Sequence, residues 1–315
     1  MAEYKQIHKV EVEKKPFKFT KKMIALLVIA IVLVVGVIAA YIVTSDKDGY
    51  TSSVQNSSKE VVTGDCTVTK KGFYEYLLDN YGANEVLNEA YNKITAKEIT
   101  DKKAIKEEVK KIEDRYASYS DSFEAYAKTQ GYNDAKTYEK EVVVPDAKSS
   151  LLETKYLTNN FDKVCKKYNV AYIKVVEFDK ESEALNTIKS ITSEDAMNNL
   201  MTSKSSDATD MKFVCSKSSD STVDSKLIKA LGKISAIKTD GVYKEAVKLS
   251  TGKYALVYVY NTDKNAQKDD IIDNLQDITD VKTDIESYYL KKYKFTVEDE
   301  KVKKAIKKIS NKYIS

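Results

Sequence analysis

The chain has 315 residues, 42% of them hydrophobic and 32% charged. That is enough to bury the cores of about two domains, which excludes wholesale disorder. Its formal charge of +4 sits in residues 1–22, which hold seven Lys and three Glu; the charge-balanced remainder excludes a nucleic-acid binder working by counterion release.

The single His, His8, lies in that same segment, so residues 23–315 contain no imidazole for a catalytic triad or a metal centre. Residues 23–43, MIALLVIAIVLVVGVIAAYIV, carry no charge. At about 1.5 Å per residue they match a hydrocarbon core of roughly 30 Å, which predicts a transmembrane helix. Cleavage near Ser45 is the alternative, but the run is long for a cleavable signal core and no A-x-A follows it. Lys18, Lys21 and Lys22 precede the span, whereas Asp46, Lys47 and Asp48 follow it. The positive-inside rule therefore makes residues 1–22 a cytoplasmic tail and places the rest outside the cell membrane. No Cys follows the run closely, so a lipid-modified terminus is not indicated. Residues 44–65, rich in Ser, Thr, Asp and Gly, read as a flexible tether.

A helical region is expected over 66–167. Ile105, Val109, Ile112 and Tyr116 form one stripe within Thr100–Ser118. Asp121 and Glu124 have capping-box spacing, Gly131 suits a helix end, and Asn133 is placed to cap the next helix. Pro145 is expected to divide that helix from another carrying Leu151, Leu152, Tyr156, Leu157 and Phe161. Residues 168–262 read as an α+β module. VAYIKVV (170–176) and KYALVYVY (253–260) are strand-like, with Tyr254, Leu256, Tyr258 and Tyr260 sharing a face. Ser250, Thr251 and Gly252 turn Val242–Leu249 into the second of these, Met211–Cys215 is a short strand, and helical stretches surround Ser182–Ile191 and Val223–Leu231. Over 263–315 helices return, one seam running through Ile271, Leu275, Ile278, Ile285 and Tyr289 and another through Val302, Ile306, Ile309 and Tyr313. They need an apolar partner, and the earlier helical region is the nearest. The expected fold class is thus α+β: one helical lobe from both ends of the exported chain, with the α+β module inserted.

Catalytic signatures are scarce. The chain lacks phosphate-loop, dinucleotide and nucleophile-elbow motifs, and beyond residue 22 its 45 carboxylates are scattered among 45 cations. Cys66, Cys165 and Cys215 have no metal-ligand spacing and read as small buried residues or free thiols, a Cys165–Cys215 disulfide remaining the alternative. No cofactor and no metal is implied. The unusual feature is 23 Tyr with 8 Phe and no Trp. Tyrosines lining a groove would hold partly apolar extended chains, although each one on a helix stripe is more simply core.

Four segments carry a family resemblance: VTKKGFYEYLLDNYGANEVLNEAYNKI (68–94), FEAYAKTQGYNDAKTYEKEV (123–142), VAYIKVV, and STGKYALVYV (250–259). Together with the order of anchor, helices, α+β module and helical tail, they resemble the PrsA-type foldases of Gram-positive bacteria and, more distantly, the SurA-like periplasmic chaperones. The resemblance implies a parvulin-like prolyl isomerase module at 168–262. It further implies unfolded exported polypeptides as partners, the bilayer through the anchor, and a homodimer as an option. The family's two strand histidines fall on Tyr172 and Tyr254. Asp210 and Phe213 stand where its glycine-rich stretch is reduced to TDMKF, and Val223 and Leu227 are nearest to its proline pocket. The implied function is an extracytoplasmic foldase with an isomerase module lacking its histidines, the alternative being a cell-surface scaffold or adaptor.

Overall fold

A computed structural model describes residues 58–62, 67–218 and 223–314 of the chain. The expected transmembrane run 23–43, most of the expected tether and Cys66 lie outside these residues; among the described residues no helix is long and apolar enough to cross a membrane. The fold is mixed α+β and mainly helical.

The described chain opens with a short antiparallel pair, β1 (Glu60–Val62) and β2 (Val68–Thr69), so part of the expected tether is strand. Thr69 then caps the long helix α1 (Lys70–Glu98), its Oγ1 accepting from the Gly72 N–H at 3.0 Å. Helix α2 (Lys102–Ala117) starts at Asp101, whose carboxylate accepts from the N–H groups of Lys103 and Ala104, and it buries Val109 and Ile112 on the predicted stripe. Two expected caps move by one residue. Ser122, not Asp121, caps α3 (Phe123–Thr129), and Asp134, not Asn133, caps α4 (Ala135–Tyr138). Glu124 does not close a box on its own helix; it accepts from the Ala135 N–H at 2.9 Å and helps to start the next one. Gly131 lies between them at φ 84°, the left-handed conformation that a helix end favours.

Pro145 does not divide the helical run. Helix α4 continues through a wider π-type turn, Glu139–Val143, into α5 (Val144–Asn159), where Pro145 occupies the first turn. Proline lacks an N–H and its ring collides with the carbonyl four residues back; widening the preceding turn moves that carbonyl aside. After α6 (Phe161–Lys167) comes β3 (Ala171–Phe178), the strand expected there.

Helices α7 (Glu181–Ile188) and α8 (Glu194–Ser203) follow, then β4 (Ala208–Val214), α9 (Ser225–Ile234), β5 (Gly241–Val242), β6 (Val247–Lys248) and β7 (Tyr254–Tyr260). The antiparallel sheet has the order β4-β3-β7-β5, with β6 also paired to β7 through a turn in which Gly252 adopts φ 90°. Strand alternation divides the two faces. Ala171, Ile173 and Val175 with Ala255, Val257 and Val259 pack on Leu227, Leu231 and Ile234 of α9. Val176, Phe178, Leu256 and Tyr258 pack on Ala184 and Ile188 of α7 and Met197 of α8.

Three helices, not two, complete the chain: α10 (Lys268–Gln276), α11 (Thr279–Lys292) and α12 (Glu300–Ile309). Ile271, Leu275, Ile285, Val302 and Ile306 join Ile94, Leu152 and Leu157 in one core built from both ends of the described chain. Ile309, expected on that seam, is exposed instead.

Candidate functional site

Where the end of the sheet meets α10, an open cleft of about 330 Å³ is lined by Tyr172, Met211, Lys212, Phe213, Tyr260, Asn261, Asp270 and Asn274. Register brings its aromatic wall together: Tyr172 on β3 lies opposite both Phe213 on β4 and Tyr260 on β7. The Tyr172 ring meets Phe213 at a centroid distance of 6.3 Å and 79°, and Tyr260 at 5.8 Å and 66°, both edge-on.

The polar atoms of the wall are already engaged. The Tyr172 hydroxyl donates to Asp270, and the Tyr260 hydroxyl donates to Asp210 at 2.7 Å, where the Lys212 N–H also donates. Burial, then the carboxylate each one faces, raises both phenols well above their ordinary pKa, so both remain protonated at neutral pH. Lys174, 7% exposed, holds the next position on this face, its ammonium bonded to Glu194 at 2.5 Å and Asn198 at 2.7 Å and 4.9 Å from the centre of the Tyr260 ring. The rim is shaped by two non-glycine residues in the left-handed region, Lys212 (φ 51°) and Asn261 (φ 52°). Between Ile173 and Lys174 the ladder slips, leaving Met211 as the extra residue of a bulge beside the cleft.

Of the residues read from the sequence as site candidates, Tyr172, Asp210 and Phe213 meet at this cleft. Tyr254 does not: it pairs with Phe178, six residues along the ladder, roughly 20 Å away at about 3.4 Å per residue. Leu227 is fully buried under the opposite face of the sheet, and Val223 packs against that same cluster. Asp270 and Asn274 had no local sequence signal, being contributed by a helix about a hundred residues further on; Tyr260 was legible as a strand-face residue.

The cleft offers aromatic edges, a thioether, two Asn amides and the Lys212 ammonium. It offers no nucleophile paired with a base. Cys165 and Cys215 are buried free thiols without a mutual disulfide, and burial pushes the Cys165 thiol up to about 11. Among the described residues no cluster of His, Cys, Asp and Glu could hold a metal ion.

No family model matches the chain, and no curated protein matches it. Among solved structures, it is similar to the PrsA peptidylprolyl isomerase of Bacillus cereus, with 16% identity over 81% of this chain and 99% of that one and a TM-score of 0.43. The chain is thus similar to a PrsA foldase. Further matches are PrsA from Bacillus subtilis (16% identity, 80% of this chain and 99% of that one, TM-score 0.38) and the foldase protein PrsA from Streptococcus pneumoniae (15%, 81% and 100%, 0.38).

Proposed function

We propose that this protein is a membrane-anchored extracytoplasmic foldase that binds unfolded exported polypeptides, the parvulin-like module serving to bind them and not as an efficient prolyl isomerase. The observation that carries this reading is the open aromatic cleft in which Tyr172 and Tyr260 both spend their hydroxyl protons on carboxylates. Rotation about a prolyl amide has a barrier of roughly 18–20 kcal/mol, and lowering it requires donors aimed at the twisting amide. Here the hydroxyls at the wall are occupied, and Tyr254 lies too far along the ladder to act with Tyr172. What is left suits binding: aromatic edges and Met211 take up apolar side chains, while the amides of Asn261 and Asn274 meet peptide groups. The anchor reading rests on residues 23–43, and the four sequence segments resembling PrsA-type foldases support the client class.

The full chain in lipid nanodiscs is expected to suppress aggregation of a reduced, unfolding client at equimolar ratio, and to leave cis-trans relaxation of a short X-Pro peptide at its spontaneous rate. Absence of suppression would sink the foldase reading and favour a scaffold; accelerated relaxation would overturn the assignment of the module to binding alone.

A further inference from the structure

The exposed large apolar side chains of the described residues are not evenly spread. Val61, Phe73, Tyr74 and Tyr76 all lie on β1 and the first two turns of α1, the three rings being 46%, 48% and 56% exposed. Helix periodicity places Phe73 and Tyr76 on the side away from the core. Leu78 packs on the helical core and Gly82 lies against Val302 of α12, while Asp79 meets Lys301 at 3.1 Å. At 100° per residue, Phe73, Tyr76 and Leu77 point away from that contact, on the side where a water-facing helix carries charge, whereas Tyr74 lies one turn before Leu78 on the contact stripe itself.

The chemistry of the patch and its place in the chain point to one occupant. The rings of Phe73 and Tyr76 are bordered by Lys59 and Lys70, while Lys71 pairs with Glu75 at 3.8 Å, and the hairpin is held on the helix start by the Lys70 N–H donating to the Lys59 carbonyl at 2.8 Å. Aromatic rings with a polar tip, flanked by lysines whose stems reach from apolar surface to water, suit the interface between headgroups and acyl chains. The apolar run ends at Val43 and the described chain begins at Ser58, so 14 residues separate them. Their reach is at most about 50 Å. A patch tethered that closely meets the bilayer at a high effective concentration, so even weak docking is populated.

We propose that the first two turns of α1 lie on the outer surface of the bilayer, with Phe73, Tyr76 and Leu77 inserted at the headgroup level and Lys59 and Lys70 among anionic headgroups. This rests on reading residues 23–43 as the anchor. The docking fixes the long axis of α1 relative to the membrane and turns the rest of the helical core outward.

Because the chain contains no Trp, Phe73→Trp installs a single emitter at an exposed position. The full-length variant is reconstituted into phosphatidylglycerol/phosphatidylcholine vesicles, floated on a density gradient, and its emission compared between ordinary lipids and lipids with brominated acyl chains. The expected result is a blue-shifted emission that loses about half its intensity with brominated lipids, as for an interfacial ring. Adding Tyr76→Ser and Leu77→Ser should return it to the water-exposed wavelength while flotation persists. Floating protein whose emission is neither shifted nor quenched overturns the docking and leaves the anchor standing; protein that does not float overturns both. A blue shift that grows with protein concentration in detergent, without lipid, assigns the patch to a second copy of the chain and also overturns the proposal.

Discussion

Tyr172 stands where the family resemblance places a histidine, and its surroundings explain what a phenol does there. Buried and facing Asp270, its hydroxyl keeps its proton and serves as a fixed donor joining the sheet to α10. Removing that bond should cost little, because Asp270 is exposed and water replaces the lost donor. Tyr172→Phe is therefore expected to lower stability by about 1 kcal/mol or less in urea unfolding and to leave client binding unchanged; a loss of binding would make the hydroxyl itself a ligand for the client. The resemblance in strand sequence named Tyr172, Asp210 and Phe213, and the register brings these three to one cleft. The same resemblance misplaced Tyr254, because strand sequence carries no information about which end of the ladder closes a cleft, and it could not supply Asp270, which reaches the site only through the packing of a distant helix.

At the scale of elements, periodicity was legible and interruptions were not. The stripe of α2, the alternation of β3 and β7 and the turn at Gly252 follow from side-chain spacing and from glycine's freedom at positive φ. The π-type turn before Pro145 was not legible, since a proline rule states that a regular helix cannot run through that position and says nothing of how the chain accommodates it. The approach of α12 to α1 hinges on Gly82, where an added Cβ would come within 2.9 Å of Leu78 Cδ1 and 3.6 Å of Val302 Cγ2. A Cβ alone could be absorbed by rotation of Leu78. Gly82→Val adds two further methyl groups at that crossing, and we expect a loss of about 1–3 kcal/mol from overpacking, with faster hydrogen exchange in α12; an unchanged exchange rate there would show that the crossing is looser than its geometry implies.

On the scale of the whole molecule, ion pairs bridge widely separated parts of the chain. Glu98 at the end of α1 accepts from Lys155 at 2.8 Å, from Lys292, and from the Tyr293 hydroxyl at 3.0 Å, and these partners lower its pKa to about 2. Asp284 of α11 is lowered to about 2 by Lys167, Lys312 and the Tyr168 hydroxyl, which outweigh its burial. Beneath them, burial raises Asp146 to about 6 and Glu153, 9% exposed, to about 7, with Lys282 opposing in both cases and Glu286 adding to the rise at Glu153. The signs oppose each other. The raised acids bind protons more tightly folded than unfolded, so their contribution is full near pH 4 and lost as pH rises towards 7; the lowered acids contribute above about pH 4 and fail as pH falls towards 2. Thermal stability should therefore rise from pH 8 to a maximum near pH 5 and fall below about pH 4, and Glu153→Gln should remove the part of that rise due to Glu153, about 3 kcal/mol at most. A melting temperature that falls steadily from pH 8 to 5 would contradict this. The bringing together of both ends of the described chain in one core was foreseeable from helices too amphipathic to stand alone, but these pairings were not, because sequence spacing has no bearing on partners almost two hundred residues apart. The central claim, that the cleft holds unfolded polypeptide, is tested most directly by measuring the affinity of the full chain in nanodiscs for a fluorescent, permanently unfolded polypeptide, beside a variant carrying Met211→Ser and Phe213→Ser. With the two proteins matched for urea midpoint, the cleft account predicts binding weakened about tenfold, or about 1.4 kcal/mol; equal affinity would place the client elsewhere and contradict it.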